Sequence, residues 1–249
     1  MGSEMCIRDR INWARVMAQV VYYHWAASKI GRGDQISVTV PTGNFGNVFA
    51  GRVAKRMGAG IGELAVASNP NAILTQFFTT GEMTIDTVVP SLSPSMDIQV
   101  SSNLERLLFE LLGNDGDAVA AMLESFRASG HTSIDAETLS RLGENWHGGS
   151  LTDAETLEEM RRTFETTGVV LDPHTAVGVG VARRRPDHDR RVVMATAHPA
   201  KFPDAVEKAT GLRPELPEHL SDLFARTERF DVLDNSVTDV ADYVRSKRR

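Results

Sequence analysis

The segment Ile36-Ser-Val-Thr-Val-Pro-Thr-Gly-Asn-Phe-Gly-Asn47, running into Val48-Phe-Ala-Gly-Arg-Val-Ala-Lys-Arg-Met57, constrains this chain more than any other. β-Branched residues at 36, 38, 39 and 40 favour a strand. Small and apolar residues at 49, 50, 53, 54 and 57 recur at helical spacing, and Gly58 supplies a stop. Between strand and helix, Gly43 and Gly46 are expected to take positive φ and let a ligand approach the backbone, with Asn47 as the candidate helix cap. Free N–H groups and the helix dipole at this turn favour negative charge, so the unit reads as a cradle for an anionic phosphate. Each charge-assisted backbone contact there would contribute about 1.5–3 kcal/mol. An ordinary strand-to-helix turn uses Gly and Asn as well, so the short motif leaves both readings open. It is neither Gly-x-Gly-x-x-Gly nor Gly-Lys-Ser/Thr, so neither a dinucleotide nor a nucleoside triphosphate is indicated.

The rest of the chain repeats the βα theme. Residues 11 to 30 place Trp13, Val16, Met17, Val20, Val21 and Ala27 at helical spacing. Leu64 to Ser68 reads as a strand, and Asn69-Pro70 as the start of a helix through Phe78. Strand, helix, strand, helix implies a parallel sheet, whose ligands collect at the C-terminal ends of strands. Residues 79 to 100 read as irregular connection. From about 102 to 167 the text turns helical, with Gly113, Gly130 and Gly148-Gly149 as separators. The βα pattern returns with Gly168 to Asp172 as strand, a helix from Pro173 to about Arg185, a strand over 191–196 and a helix near Pro203 to Thr210. The expected division is 1–10 as a non-native leader, 11–101 as the first βα units with the phosphate loop, 102–167 as a helical insertion, 168–213 as the second βα units and 214–249 as a C-terminal surface extension.

Composition excludes several function classes. The 249 residues are 41% hydrophobic and 24% charged, an ordinary globular balance with ample length for a core. No apolar run approaches the ~18 residues needed to cross a bilayer, so a cytoplasmic location is the default expectation and no membrane partner is expected. Cys6 is the single cysteine, which removes disulfides and thiolate metal sites. A formal charge of −6 argues against nonspecific nucleic-acid binding. The basic clusters Arg183 to Arg185, Arg190-Arg191 and Lys247 to Arg249 read as solvated helix ends and loops. His147-Gly-Gly-Ser150 lacks the Gly-x-Ser-x-Gly elbow of a hydrolase. No His-Glu-x-x-His motif or other metal-ligand spacing is present.

Six blocks, taken in order, resemble one family: Ile11-Asn-Trp-Ala-Arg15, Val40 to Asn47, Ala50 to Gly58, Ser93-Pro-Ser-Met-Asp-Ile-Gln-Val-Ser-Ser-Asn103, Asp172-Pro-His-Thr-Ala-Val177 and Ala195-Thr-Ala-His-Pro-Ala-Lys-Phe202 resemble the threonine synthases. Together they span most of residues 11 to 211. The resemblance implies an α/β fold, a parallel sheet of βα units belonging to the large domain of the fold-type-II pyridoxal-phosphate enzymes, incomplete here and carrying a helical insertion. It implies pyridoxal 5'-phosphate as cofactor and O-phospho-L-homoserine as substrate, converted with water to L-threonine and phosphate. The family's Schiff-base lysine lies in a Phe-Lys-Asp type motif that nothing in this chain matches. The chain therefore resembles the C-terminal portion only, with the missing N-terminal half of the same protein as its expected partner, and alone it is expected to be inactive. Met5-Cys-Ile-Arg-Asp9 resembles a translated frame of a transposase sequencing adapter, which makes a truncated reading frame the expectation.

By that resemblance Gly43, Asn44, Phe45, Gly46 and Asn47 hold the cofactor phosphate, and Thr196 sets a hydroxyl against the pyridine nitrogen. A neutral hydroxyl can bond that nitrogen without stabilising a pyridinium as a carboxylate would. Phe45 also reads as core, and Asn44, Asn47 and Thr196 as turn, cap and strand-end residues. No catalytic residue and no metal ligand is assigned within the chain. His174 and His198 read as structural hydrogen bonders, Lys201 falls in a part of the pattern that does not match the Schiff-base motif, and Asp97 and Asn103 have no role the sequence reveals. Related type-II dehydratases and a noncatalytic phosphate-binding module are the alternative readings.

Overall fold

The computed structural model describes residues 13–185 and 190–247. The expected leader at 1–10, with Cys6, lies outside the described residues, as do Asp187, Asp189, Arg248 and Arg249. Helix α1, Trp13–Ala26, buries Val16, Val20, Tyr23 and Ala26, a stripe at helical spacing, and continues into a wider turn over Ala27–Gly31. Strand β1, Ile36–Pro41, is buried along its whole length, as a strand with covered faces on both sides must be. It leads through the glycine-asparagine turn into α2, Gly46–Arg56, and then β2, Ile61–Ser68, and α3, Ile73–Thr80. Helix α3 begins three residues beyond Pro70, because Asn69 and Asn71 are committed to side-chain hydrogen bonds with residues 89 to 97 instead of to a helix start.

A short strand β3, Glu82–Thr84, pairs antiparallel with β4, His131–Ser133. Between them lie α4, Leu104–Leu111, and α5, Gly116–Ser129, the latter capped by the Asp115 carboxylate on the amides of Asp117 and Ala118. Helix α6, Ala136–Gly143, follows with Asp135 as its cap. Trp146–Ser150 then forms β5, which pairs parallel with β2. This strand lies within the segment that reads as helical insertion, and Gly148 explains the missing signal. A Cβ there would lie 3.0 Å from Thr75 Cα, so glycine admits the α3 backbone where a β-branched residue could not fit.

Helix α7, Asp153–Thr167, opens on a capping box between Thr152 and Glu155. Helix α8, Pro173–Arg184, is capped by Asp172, with Pro173 in its first turn. The intervening residues 168 to 172, expected as a strand, form none. Val170 and Leu171 instead pack against the cluster of Met160, Ala176 and Val206. Strand β6, Arg191–Val193, is shorter than expected and pairs with β1. Helix α9, Pro203–Thr210, closes this unit. The sheet order is β5-β2-β1-β6 with every pair parallel, so the expected parallel βα fold is found.

Residues 215 to 249 make a separate compact unit. Its described part contains two short 3-10 turns and α10, Val237–Ser246, capped by Ser236.

Candidate functional site

The centre of the sheet positions the site. Strands β1 and β6 are neighbours and point the same way, so the turn after β1 and the end of β6 share one edge. There a cleft of about 490 Å3 is lined by Thr42 to Asn47, by Ser95 and Asn103, by Met194 to Thr196 and by Arg15, Gln19 and Tyr22 of α1. All six residues expected to bind the cofactor line it, although they are separated by up to 153 positions in sequence, 196 minus 43. No Asp or Glu is among the described lining residues, and Arg15 supplies a cation.

The turn is held by its carbonyls. Ser101 Oγ donates to Gly43 O at 2.8 Å, while the Asn103 amide and Nδ2 donate to Asn44 O at 3.2 and 2.9 Å. Ser102 Oγ donates to Asn44 Oδ1 at 3.3 Å. By contrast, no hydrogen bond among the described residues engages the backbone N–H groups of residues 43 to 47. Residues 43, 44, 46 and 47 are half-buried and line the cleft, so a run of backbone donors without acceptors among the described residues borders it. Such donors call for an acceptor from outside, and an anion suits them best.

The sequence placed positive φ on the wrong residues. Neither Gly43 nor Gly46 has it; Phe45 does, at φ 64 and ψ −6, and Phe45 rather than Asn47 occupies the cap position of α2. The Phe45 ring is 1% exposed and stacks on Phe78 and Trp146 at centroid distances of 5.9 and 5.5 Å. Core burial of that ring holds the backbone in a conformation an isolated phenylalanine avoids. Glycine is needed at 43 for a different reason: an added Cβ would lie 2.7 Å from Ser95 O. Asn47 accepts the buried Tyr23 hydroxyl at its backbone O, 2.8 Å, and at Oδ1, 2.9 Å, which leaves its Nδ2 as the side-chain donor.

Two residues without a sequence-derived role acquire one. Asn103 is the clamp on Asn44 just described. Asp97 accepts from Asn69 Nδ2, Asn71 Nδ2, Ser91 Oγ and the Ser91 amide at 2.7, 3.1, 2.6 and 2.9 Å, pinning the Pro94–Met96 turn that carries Ser95 to the cleft. Arg15 and Gln19 were missed as lining residues, because their helical spacing only marks them as the open side of α1. His198 and Lys201 are exposed, the one beside and the other within a 3-10 turn, and do not line the cleft. Among the described residues no group of three or more His, Cys, Asp or Glu could hold a metal, and no helix is long and apolar enough to cross a membrane.

Comparison with known proteins points in one direction. A family model described as "Threonine synthase, C-terminal" matches residues 175–244. A threonine synthase from Pseudomonas aeruginosa is 46% identical over 247 residues, which cover 98% of this chain and 53% of that protein. One from Methylobacillus glycogenes is 38% identical over 245 residues, 95% of this chain and 51% of that protein. Among solved structures, a PLP-bound threonine synthase from Brucella melitensis has a TM-score of 0.88 and 47% identity over 95% of this chain and 51% of its own. The yeast threonine synthase has a TM-score of 0.83 and 32% identity over 95% of this chain and 52% of its own. The chain thus spans about half the length of the curated relatives it matches.

Proposed function

Given that the chain belongs to the threonine synthase family, matching its C-terminal portion, we propose that its cleft holds pyridoxal 5'-phosphate. The whole protein would then be a lyase converting O-phospho-L-homoserine and water to L-threonine and phosphate. One observation carries the assignment: residues 43 to 47 all line the cleft, and their N–H groups have no acceptor among the described residues. A phosphate seated there meets backbone donors, the α2 N-terminus and Asn47 Nδ2, and faces no acidic lining residue.

When bound, the cofactor supplies an electron sink for chemistry at the substrate's α and β carbons. This chain's part is to bind and orient it. Gly43, Asn44, Phe45, Gly46 and Asn47 fix the phosphate end. Thr196, beyond the end of β6, offers a neutral hydroxyl to the ring nitrogen, which restrains the sink because no carboxylate among the described lining residues stabilises a protonated ring there. The Schiff-base lysine would come from the part of the protein that the longer relatives carry beyond the matched half.

The test is threonine formation from O-phospho-L-homoserine by the complete protein with added cofactor. Thr196→Val should lower kcat/KM about tenfold, the equivalent of one lost hydrogen bond. Turnover of serine or threonine to an oxo acid, with no threonine made from O-phospho-L-homoserine, would assign the dehydratase activity instead.

A further inference from the structure

Two hydrogen-bonded arms leave one buried carboxylate and reach two different parts of the cleft lining, the turn after β1 and the end of β6. Asp172 is 1% exposed and caps α8 through the amides of His174 and Thr175. Its Oδ1 lies 3.2 Å from His174 Nδ1, and His174 Nε2 accepts the Ser95 amide at 3.3 Å. Ser95 in turn seats its carbonyl where a Cβ on Gly43 would come within 2.7 Å, so this arm ends at the phosphate turn. The second oxygen, Oδ2, accepts the Thr175 hydroxyl, and Thr175 Oγ1 accepts the Thr196 amide at 3.2 Å. That arm ends at the ring-nitrogen wall.

The proton inventory is fixed by these partners. His174 Nε2 receives an N–H and so carries no proton, which leaves Nδ1–H to donate to Asp172. Burial pushes the Asp172 carboxyl up, but the hydrogen bonds from His174 and Thr175 outweigh it and hold the group below its usual range, ionised and accepting in both directions. His174 is itself 4% exposed, and its ring packs on Phe202 with centroids 4.8 Å apart. None of Asp172, His174 or Thr175 lines the cleft.

We propose that Asp172, through His174 and Thr175, is a positioning unit that sets the separation between the phosphate turn and Thr196 and so matches the cleft to the length of a phosphorylated pyridine. The proposal rests on the cofactor assignment above. It makes His174 a positioning residue for the phosphate end, Thr175 one for the ring end and Asp172 one for both.

Titration of the full chain with pyridoxal 5'-phosphate and, separately, with pyridoxal tests it. His174→Phe keeps a ring against Phe202 and removes both nitrogens. It should weaken binding of the phosphorylated form about tenfold, the equivalent of one lost hydrogen bond, and leave pyridoxal within about twofold. His174→Gln, which can still accept the Ser95 amide, should recover most of that loss. Thr175→Val should weaken both ligands by a similar factor, and Thr175→Ser neither. Because a general loss of stability would not change the ratio of the two affinities, that ratio reads positioning. An unchanged ratio in His174→Phe, or unchanged affinities in Thr175→Val, would overturn the proposal. Wild-type chain that binds pyridoxal as tightly as its phosphate would instead remove the phosphate-turn assignment itself. Should His174→Phe fail to fold, His174→Leu, which also removes both nitrogens, is read by the same ratio.

Discussion

Phe45 carries the site's backbone geometry. A non-glycine residue in the left-handed region costs about 1–2 kcal/mol, and here the ring's burial against Phe78 and Trp146 offsets it. Phe45→Ala should therefore lower unfolding stability by about 3–5 kcal/mol in a denaturant titration, as aromatic deletions in packed cores do. It should also weaken cofactor binding, since the Ser101 and Asn103 hydrogen bonds hold the carbonyls of residues 43 and 44 but not the left-handed backbone at 45. Gly43→Val places side-chain atoms where Ser95 O already sits, and should weaken pyridoxal 5'-phosphate binding at least tenfold, which ligand titration reads directly. The sequence marked the glycines and asparagines of the turn as candidate phosphate ligands, and the structure brings them to the cleft. Their division of labour was not legible in the sequence, because Phe45 takes its conformation from Phe78 and Trp146, residues 33 and 101 positions away, 78 minus 45 and 146 minus 45.

At the scale of elements, periodicity located most helices and the strands β1 and β2, because each buries a regular face. It missed β5, where Gly148 and Gly149 stand in place of the β-branched residues a strand usually shows, since α3 packs too closely for a side chain at 148. It misread 168 to 172 for the opposite reason: Val170 and Leu171 are strand-like residues that bury against α7, α8 and α9 rather than in the sheet. Helix α7 begins at a capping box whose Glu155 accepts the Thr152 amide and hydroxyl and pairs with Arg184, which brings its carboxyl down from 4.5 to about 2. A lowered folded-state value means that this contribution is complete above the ordinary carboxylate value and is lost as pH falls toward about 2. Thr152→Ala should cost about 1 kcal/mol near neutral pH, and thermal melts of Glu155→Gln should show a shallower loss of stability between pH 4.5 and about 2 than wild type. Equal acid slopes in the two proteins would show that the box contributes nothing there. The effect is modest because the Glu155 side chain is 43% exposed and its charge is screened by water.

For the molecule as a whole, α1 presents one buried stripe and one apolar stripe open to water, with Trp13 44%, Met17 54%, Val21 63% and Trp25 62% exposed. A contiguous apolar face of this kind marks an interaction surface. The chain by itself should then bind a hydrophobic dye and associate as its concentration rises, and Trp25→Lys should reduce both; a monodisperse wild-type chain that leaves the dye dark would contradict this. The parallel βα fold was legible from the alternation of strand and helix text, and the cleft from the rule that such sheets bind ligands at their carboxyl ends. What joins Thr196 to the β1 turn across the fold, the Asp97 clasp and the Asp172 arms, is made of polar residues from separate segments and carries no local signal. The most direct measurement of the central claim is the set of amide chemical shifts of the full chain as pyridoxal 5'-phosphate is added, with pyridoxal as control. The account expects the largest changes at residues 43 to 47 with the phosphorylated form and a much smaller response there with pyridoxal. Undisturbed amides at 43 to 47, or equal responses to the two ligands, would contradict it.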